Sequence, residues 1–104
     1  MKQLDPKSLK TLLETTTVRL IDVREPSEFS FCRLPGSVNL PVSQIADHLR
    51  EFELDEILVT VCHHGLRSFA VAEFLEAKGF SQVINLQGGL DAWSREVDPS
   101  IPRY

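Results

Sequence analysis

The sequence predicts an α/β fold: a central parallel sheet with helices on both faces. Three observations carry this expectation. Short, β-branched, nearly continuous apolar runs stand at 18–23, Ile57–Val61 and 83–86, as expected of strands covered on both sides. Segments with apolar residues at helical spacing lie between them. Strands and helices thus alternate, and that order favours parallel pairing.

Each element has a local reason. Asp5-Pro6 reads as an N-cap followed by proline at the first helical position. Leu9, Leu12 and Leu13 then share one helical face, and the helix is expected to end near Glu14, where a threonine run begins. The strand at 18–23 leads into Glu25-Pro26-Ser27-Glu28-Phe29, a short helical turn with φ pre-set by proline. Leu34-Pro35-Gly36-Ser37 is a turn, and Val38-Asn39-Leu40 a short strand. Ser43 is expected to cap a helix through Leu49. After Ile57–Val61, a helix opening near Ser68 carries Ala70, Val71, Phe74, Leu75 and Ala77, and Gly79 suits its C-terminal cap. Residues 83–86 form another strand, and Gln87-Gly88-Gly89 turns into a last helix with Leu90, Ala92 and Trp93.

Bulk properties narrow the function. At 104 residues the chain fits one domain, 1–104, with a single core. Its apolar and charged fractions are those of a soluble globular protein. A net charge of −4 argues against a nucleic-acid partner. No apolar run is long enough for a membrane span, and Met1–Pro6 lacks the apolar stretch of a secretory signal. Two cysteines without such a leader suggest reduced thiols and a cytoplasmic location.

The chemistry concentrates in Cys62-His63-His64-Gly65-Leu66-Arg67-Ser68, between a buried strand and a helix N-terminus. In open α/β sheets, ligands bind outside the carboxyl ends of strands. Asp22 and Arg24 follow another strand, so parallel pairing would bring them to the same edge. A helix N-terminus offers unpaired N–H groups and about half a positive charge. A free thiol with a pKa near 8.5 is only about 3% ionised at pH 7. Lowering that pKa to about 6.5 would make roughly three-quarters thiolate, a shift of about 2.7 kcal/mol. The helix terminus supplies about 0.3–1 kcal/mol, so backbone donors and Arg67 are expected to supply the rest. Gly65 permits a tight loop that turns N–H groups inward. Arg67 can hold an anion with two prongs, and His63 and His64 can add charge or hydrogen bonds near neutral pH.

Plainer readings stand beside these. Cys62 could be inert packing, His63 and His64 solvated loop residues, and Arg67 a partner of Glu73. Gly88-Gly89 reads as a turn, because the other glycines of a dinucleotide fingerprint are missing. Trp93 reads as core and Cys32 as a small apolar filler. Consecutive Cys62, His63 and His64 lack metal-ligand spacing, so neither a metal nor a cofactor is expected.

Four segments resemble the rhodanese family, in its single-domain form. They are Leu20-Ile21-Asp22-Val23-Arg24-Glu25-Pro26-Ser27-Glu28-Phe29, Leu34-Pro35-Gly36-Ser37-Val38-Asn39-Leu40-Pro41, the loop from Cys62 to Ser68, and Gly88-Gly89-Leu90-Asp91-Ala92-Trp93. Together, in the family's order, they span nearly the whole chain. The resemblance implies a rhodanese-like fold and sulfurtransferase activity without a cofactor. A sulfane sulfur from thiosulfate or a protein persulfide would load Cys62 and then pass to a thiol or to cyanide. Carried over by position, Cys62 is the persulfide carrier, and His63, His64, Gly65, Leu66 and Arg67 form the cradle. Asp22, Arg24 and Ser68 are expected to support the site. The family commonly has Gly-His before the Leu34-Pro35-Gly36 turn. Here Cys32-Arg33 stands there, which leaves open whether Cys32 can reach Cys62.

Two rival functions fit the same residues. Related folds with phosphatase or arsenate reductase activity place five residues between Cys and Arg. Here four separate Cys62 from Arg67, a smaller cradle that by analogy favours sulfur over phosphate. A non-catalytic binding module is the other reading, and retention of both Cys62 and Arg67 argues against it.

Overall fold

The computed structural model describes all of residues 1–104. Strands β1 (Lys2–Leu4), β2 (Arg19–Asp22), β3 (Val38–Asn39), β4 (Ile57–Val61) and β5 (Gln82–Leu86) form one sheet, ordered β1-β5-β4-β2-β3. Every neighbouring pair is parallel. Helices α1 (Pro6–Thr15), α2 (Pro26–Phe31), α3 (Leu66–Ala77) and α4 (Gly89–Glu96) cover it, with a 3₁₀ helix at Val42–Glu51. No helix is long and apolar enough to cross a membrane.

The alternation of side chains along each strand builds two cores, one per face. Ile21, Leu58 and Val83 pack with Ile45 of the 3₁₀ helix and with Val71, Ala72 and Leu75 of α3. Leu20, Val59, Val61, Ile84 and Leu86 pack instead with Leu9 of α1 and with Leu90 and Trp93 of α4. Trp93 is therefore core, as its position suggested. Helices on both faces of a parallel sheet follow directly from strands that are apolar on both sides.

The local signals act as expected in several places. Asp5 accepts the Ser8 amide at 2.8 Å and caps α1, with Pro6 at its first position. Glu25 and Glu28 form a reciprocal capping box that starts α2.

Three features differ. Lys2–Leu4 is an edge strand, paired to β5 through Lys2 and Ile84; its three residues are too few and too polar to show a periodicity. Ser43 caps nothing: the helix there is of 3₁₀ type, begins after Pro41 and has no side-chain cap. Helix α3 opens at Leu66 and not near Ser68, because Gly65 takes the cap position with φ +92°.

Candidate active site

Strand β4 is central, and register puts Asp22 of β2 opposite its last residue, Val61. The segments that follow β2 and β4 therefore leave the sheet at the same edge. Cys62 is the first residue past β4, and Arg24 lies two residues past Asp22. Sheet topology, not sequence proximity, brings the two to one edge.

The Cys62 loop is a tight turn into α3. Cys62 Sγ accepts hydrogen bonds from the Gly65 amide (3.1 Å), the Ser68 amide (3.3 Å) and the Ser68 hydroxyl (3.2 Å). Ser68 thus supports the sulfur itself, from the first turn of α3, where amides lack helical acceptors. Cys62, His63, His64, Leu66 and Arg67 line a cavity of about 200 Å³. Cys62 is only 1% exposed, so its sulfur sits at the floor. Leu66, by contrast, stands 81% exposed at the rim.

Two glycines let the neighbouring backbone close on this loop. Gly89 has φ +62°, and a Cβ there would lie 2.4 Å from the His63 carbonyl oxygen and 2.5 Å from that of Cys62. The Leu90 and Asp91 amides, opening α4, donate to those same two carbonyls at 2.9 and 3.0 Å. A Cβ on Gly65 would lie 3.0 Å from the Gly88 nitrogen and 3.2 Å from the Leu86 carbonyl oxygen. Gly88 closes the expected turn and Gly89 opens α4, and together they clamp the Cys62 loop.

Asp22 and Arg24 are fully buried and form a frame behind the loop. Arg24 Nε and Nη2 donate to the Asp22 carboxylate at 2.9 and 2.7 Å. Its remaining donors reach the Cys32 carbonyl (2.6 Å), the Glu28 carbonyl (3.3 Å) and the Tyr104 hydroxyl (2.8 Å). Burial alone would lower the Arg24 pKa, but the bonds to Asp22 and Tyr104 outweigh it and raise it. A guanidinium with all its donors engaged is a fixed structural part, not a ligand for substrate.

Arg67 does not pair with Glu73. It meets Glu28 of α2 in a two-pronged contact, Nη1 to Oε1 at 2.7 Å and Nη2 to Oε2 at 3.0 Å. That contact holds the Glu28 carboxyl down at about 2, with help from the Tyr104 hydroxyl, which donates to Glu28 at 2.7 Å. Burial, with Glu28 alongside, pushes the Tyr104 phenol up to about 12, so it stays a protonated donor.

The two histidines stack, with ring centroids 3.9 Å apart, and the Tyr104 ring stacks on His63 at 3.8 Å. Burial lowers the His63 pKa and neighbouring His64 adds to this, which disfavours the charged ring. Its Nε2 is buried without a hydrogen-bond partner. His63, His64 and Asp91 bring potential ligand atoms within 4.8 Å of one another, a grouping that spacing around Cys62 did not suggest. Both Asp91 oxygens are already engaged, by Arg103 (2.9 Å) and Arg95 (3.3 Å).

Cys32 and Cys62 are both free thiols. They belong to different cores, on opposite faces of the sheet. Cys32 packs in the α1–α4 core, with Arg24 Nη1 3.9 Å from its sulfur. It fills space there, as its type suggested.

Sequence reasoning overlooked Glu28 and Tyr104 as parts of this site. Glu28 lies inside the first family-like segment, but its partner is 39 residues away. Tyr104 carries no local signal at all.

Comparisons with known proteins agree with this architecture. A family model described as rhodanese-like domain matches residues 5–96. The chain is 41% identical to a protein of Pseudomonas syringae named thiosulfate sulfurtransferase GlpE, over 88% of this chain and 86% of that one. It is 32% identical to a sulfurtransferase of Allochromatium vinosum, over 97% and 95% of the two chains. A rhodanese-like domain protein of Staphylococcus aureus superposes with a TM-score of 0.85 at 34% identity, covering 100% of this chain and 99% of that one. The chain belongs to the rhodanese family, and it is an enzyme of the sulfurtransferase type.

Proposed function

We propose that this protein moves one sulfane sulfur through a persulfide on Cys62, with thiosulfate as a competent donor. The observation that carries this is the Cys62 sulfur at the cavity floor, facing three hydrogen-bond donors. Such donors solvate a sulfur anion where water is excluded.

The chemistry has two steps. The Cys62 thiolate attacks the outer sulfur of thiosulfate. The Cys62–sulfur bond forms, the S–S bond of thiosulfate breaks, and sulfite leaves with the electron pair. The product is Cys62–S–S⁻, whose terminal sulfur occupies the cavity. An acceptor thiolate or cyanide then attacks that sulfur, and the Cys62 thiolate departs. Charge and atoms balance in both steps, and no metal or cofactor enters. Gly65 and Ser68 steady the sulfur charge. Arg67, His63 and His64 line the approach of the donor. Asp22 and Arg24 hold the frame.

A phosphatase reading is weaker on the same geometry. Phosphate, held chiefly by the Arg67 fork, would have to displace Glu28 from it, whereas sulfur transfer draws on the three donors at the Cys62 sulfur. Two free thiols suit a reducing compartment, and we place the protein in the cytoplasm on that basis; the single five-stranded sheet supports reading 1–104 as one domain.

Thiocyanate formation from thiosulfate and cyanide tests the reading. Wild type is expected to form it, and Cys62→Ala to form none. Release of phosphate from a phenyl-phosphate substrate, with no thiocyanate, would replace this function with the rival one.

A further inference from the structure

Arg67 is the one permanently charged residue lining the cavity. Both of its terminal nitrogens lie on the Glu28 carboxylate, so the pair sums to zero charge at the mouth. Glu28 is not a chance surface neighbour. It is the N3 residue of the α2 capping box, where its side chain accepts the Glu25 amide at 3.1 Å. On the other side it accepts the Tyr104 hydroxyl. Tyr104 is itself fixed by Arg24 at 2.8 Å and by stacking on His63. Two contacts therefore present this carboxylate to Arg67 before any donor arrives, one of them from a Tyr104 that is itself held twice. A sulfur donor entering the cavity meets a cation already answered by an anion.

We propose that Glu28 is a specificity-determining positioning residue that sets the charge of the sulfur donor, selecting against dianions in favour of donors with a single negative charge. The inference rests on the sulfur-transfer reading above and narrows its substrate class. Thiosulfate is a dianion. A persulfide or a thiosulfonate presents the same reactive outer sulfur with one charge fewer. Removing one negative charge at the mouth changes the energy of a bound donor in proportion to that donor's charge. The factor gained by a dianion is therefore the square of that gained by a monoanion. Glu28 stays ionised throughout the usual assay range, so the selection does not switch with pH there.

The test uses the full chain with cyanide as acceptor and two donors, thiosulfate and methanethiosulfonate. Cys62 loading is followed by mass. Glu28→Gln removes the charge and keeps the size. It is expected to raise kcat/KM about fivefold for thiosulfate, equivalent to about 1 kcal/mol, and about twofold for methanethiosulfonate, mainly through KM. Glu28→Asp keeps the charge and is expected to help neither donor. In wild type, kcat/KM for thiosulfate is expected not to fall as salt rises, whereas the Glu28→Gln variant acquires such a fall. The wild-type salt series needs no variant to fold. Equal gains for the two donors in Glu28→Gln, or a steep salt-dependent fall in wild type, would overturn the proposal while Cys62 still loads. A wild type that takes sulfur from neither donor overturns the sulfur-transfer reading itself, and this inference with it.

Discussion

Arg24 and Arg67 each grip a carboxylate with two nitrogens, at nearly equal distances, yet they do different work. The Arg24–Asp22 pair is fully buried, with every guanidinium donor used inside the protein. The Arg67–Glu28 pair is open to water, its side chains 41% and 21% exposed. The difference teaches how burial divides roles between two guanidinium–carboxylate pairs. A buried pair cannot part without stranding a charge, so it serves as frame. A solvated pair costs little to open, so it can negotiate with a substrate.

The largest expected effect comes from breaking the frame. Arg24→Met leaves the Asp22 carboxylate buried and unanswered. It should cost about 3–5 kcal/mol in urea unfolding. Adding Asp22→Asn to it should return part of that loss. A single substitution costing under about 1 kcal/mol would erase the distinction between the two pairs.

The glycine clamp is part of the same frame. Gly89→Ala forces a side chain onto a left-handed φ, worth about 1–3 kcal/mol, and drives its Cβ into the Cys62 and His63 carbonyls. Loss of stability and of thiocyanate formation together is expected. Normal activity would mean that the α4 start does not position the loop.

Acid sharpens the contrast from the other side. The Glu28 carboxyl sits at about 2 when folded against an ordinary 4.5. Its contribution to stability is complete above pH 4.5 and fades as pH falls toward 2. His63, with its lowered pKa, acts in the same direction but from pH 6.5 downward, because protonation is disfavoured in the fold. Urea midpoints should therefore fall with pH across this range, and less steeply in Glu28→Gln. At neutral pH the smallest effect is expected: Glu28→Gln should change stability by at most about 1 kcal/mol.

The same divide explains what could be read from the chain. The strand–loop–helix around Cys62 was legible because its cues are local: a β-branched run, a glycine at the turn, then helical spacing. Two-faced apolar strands foretold helices on both sides. Asp22 and Arg24 were placed at the right edge because parallel topology is a global rule with few options. Arg67–Glu28 and Tyr104–Glu28 close gaps of 39 and 76 residues through side-chain tips, and such contacts leave no periodic trace in sequence. The 3₁₀ form of Val42–Glu51 was equally hidden, since Ile45 and Leu49 suit either helix.

Intact mass before and after thiosulfate, on wild type and Cys62→Ala, bears on all of this. Wild type should gain the mass of one sulfur atom and lose it again on cyanide, while Cys62→Ala gains nothing. An unchanged wild-type mass, or a gain that survives in Cys62→Ala, would contradict a persulfide at the floor of this cavity.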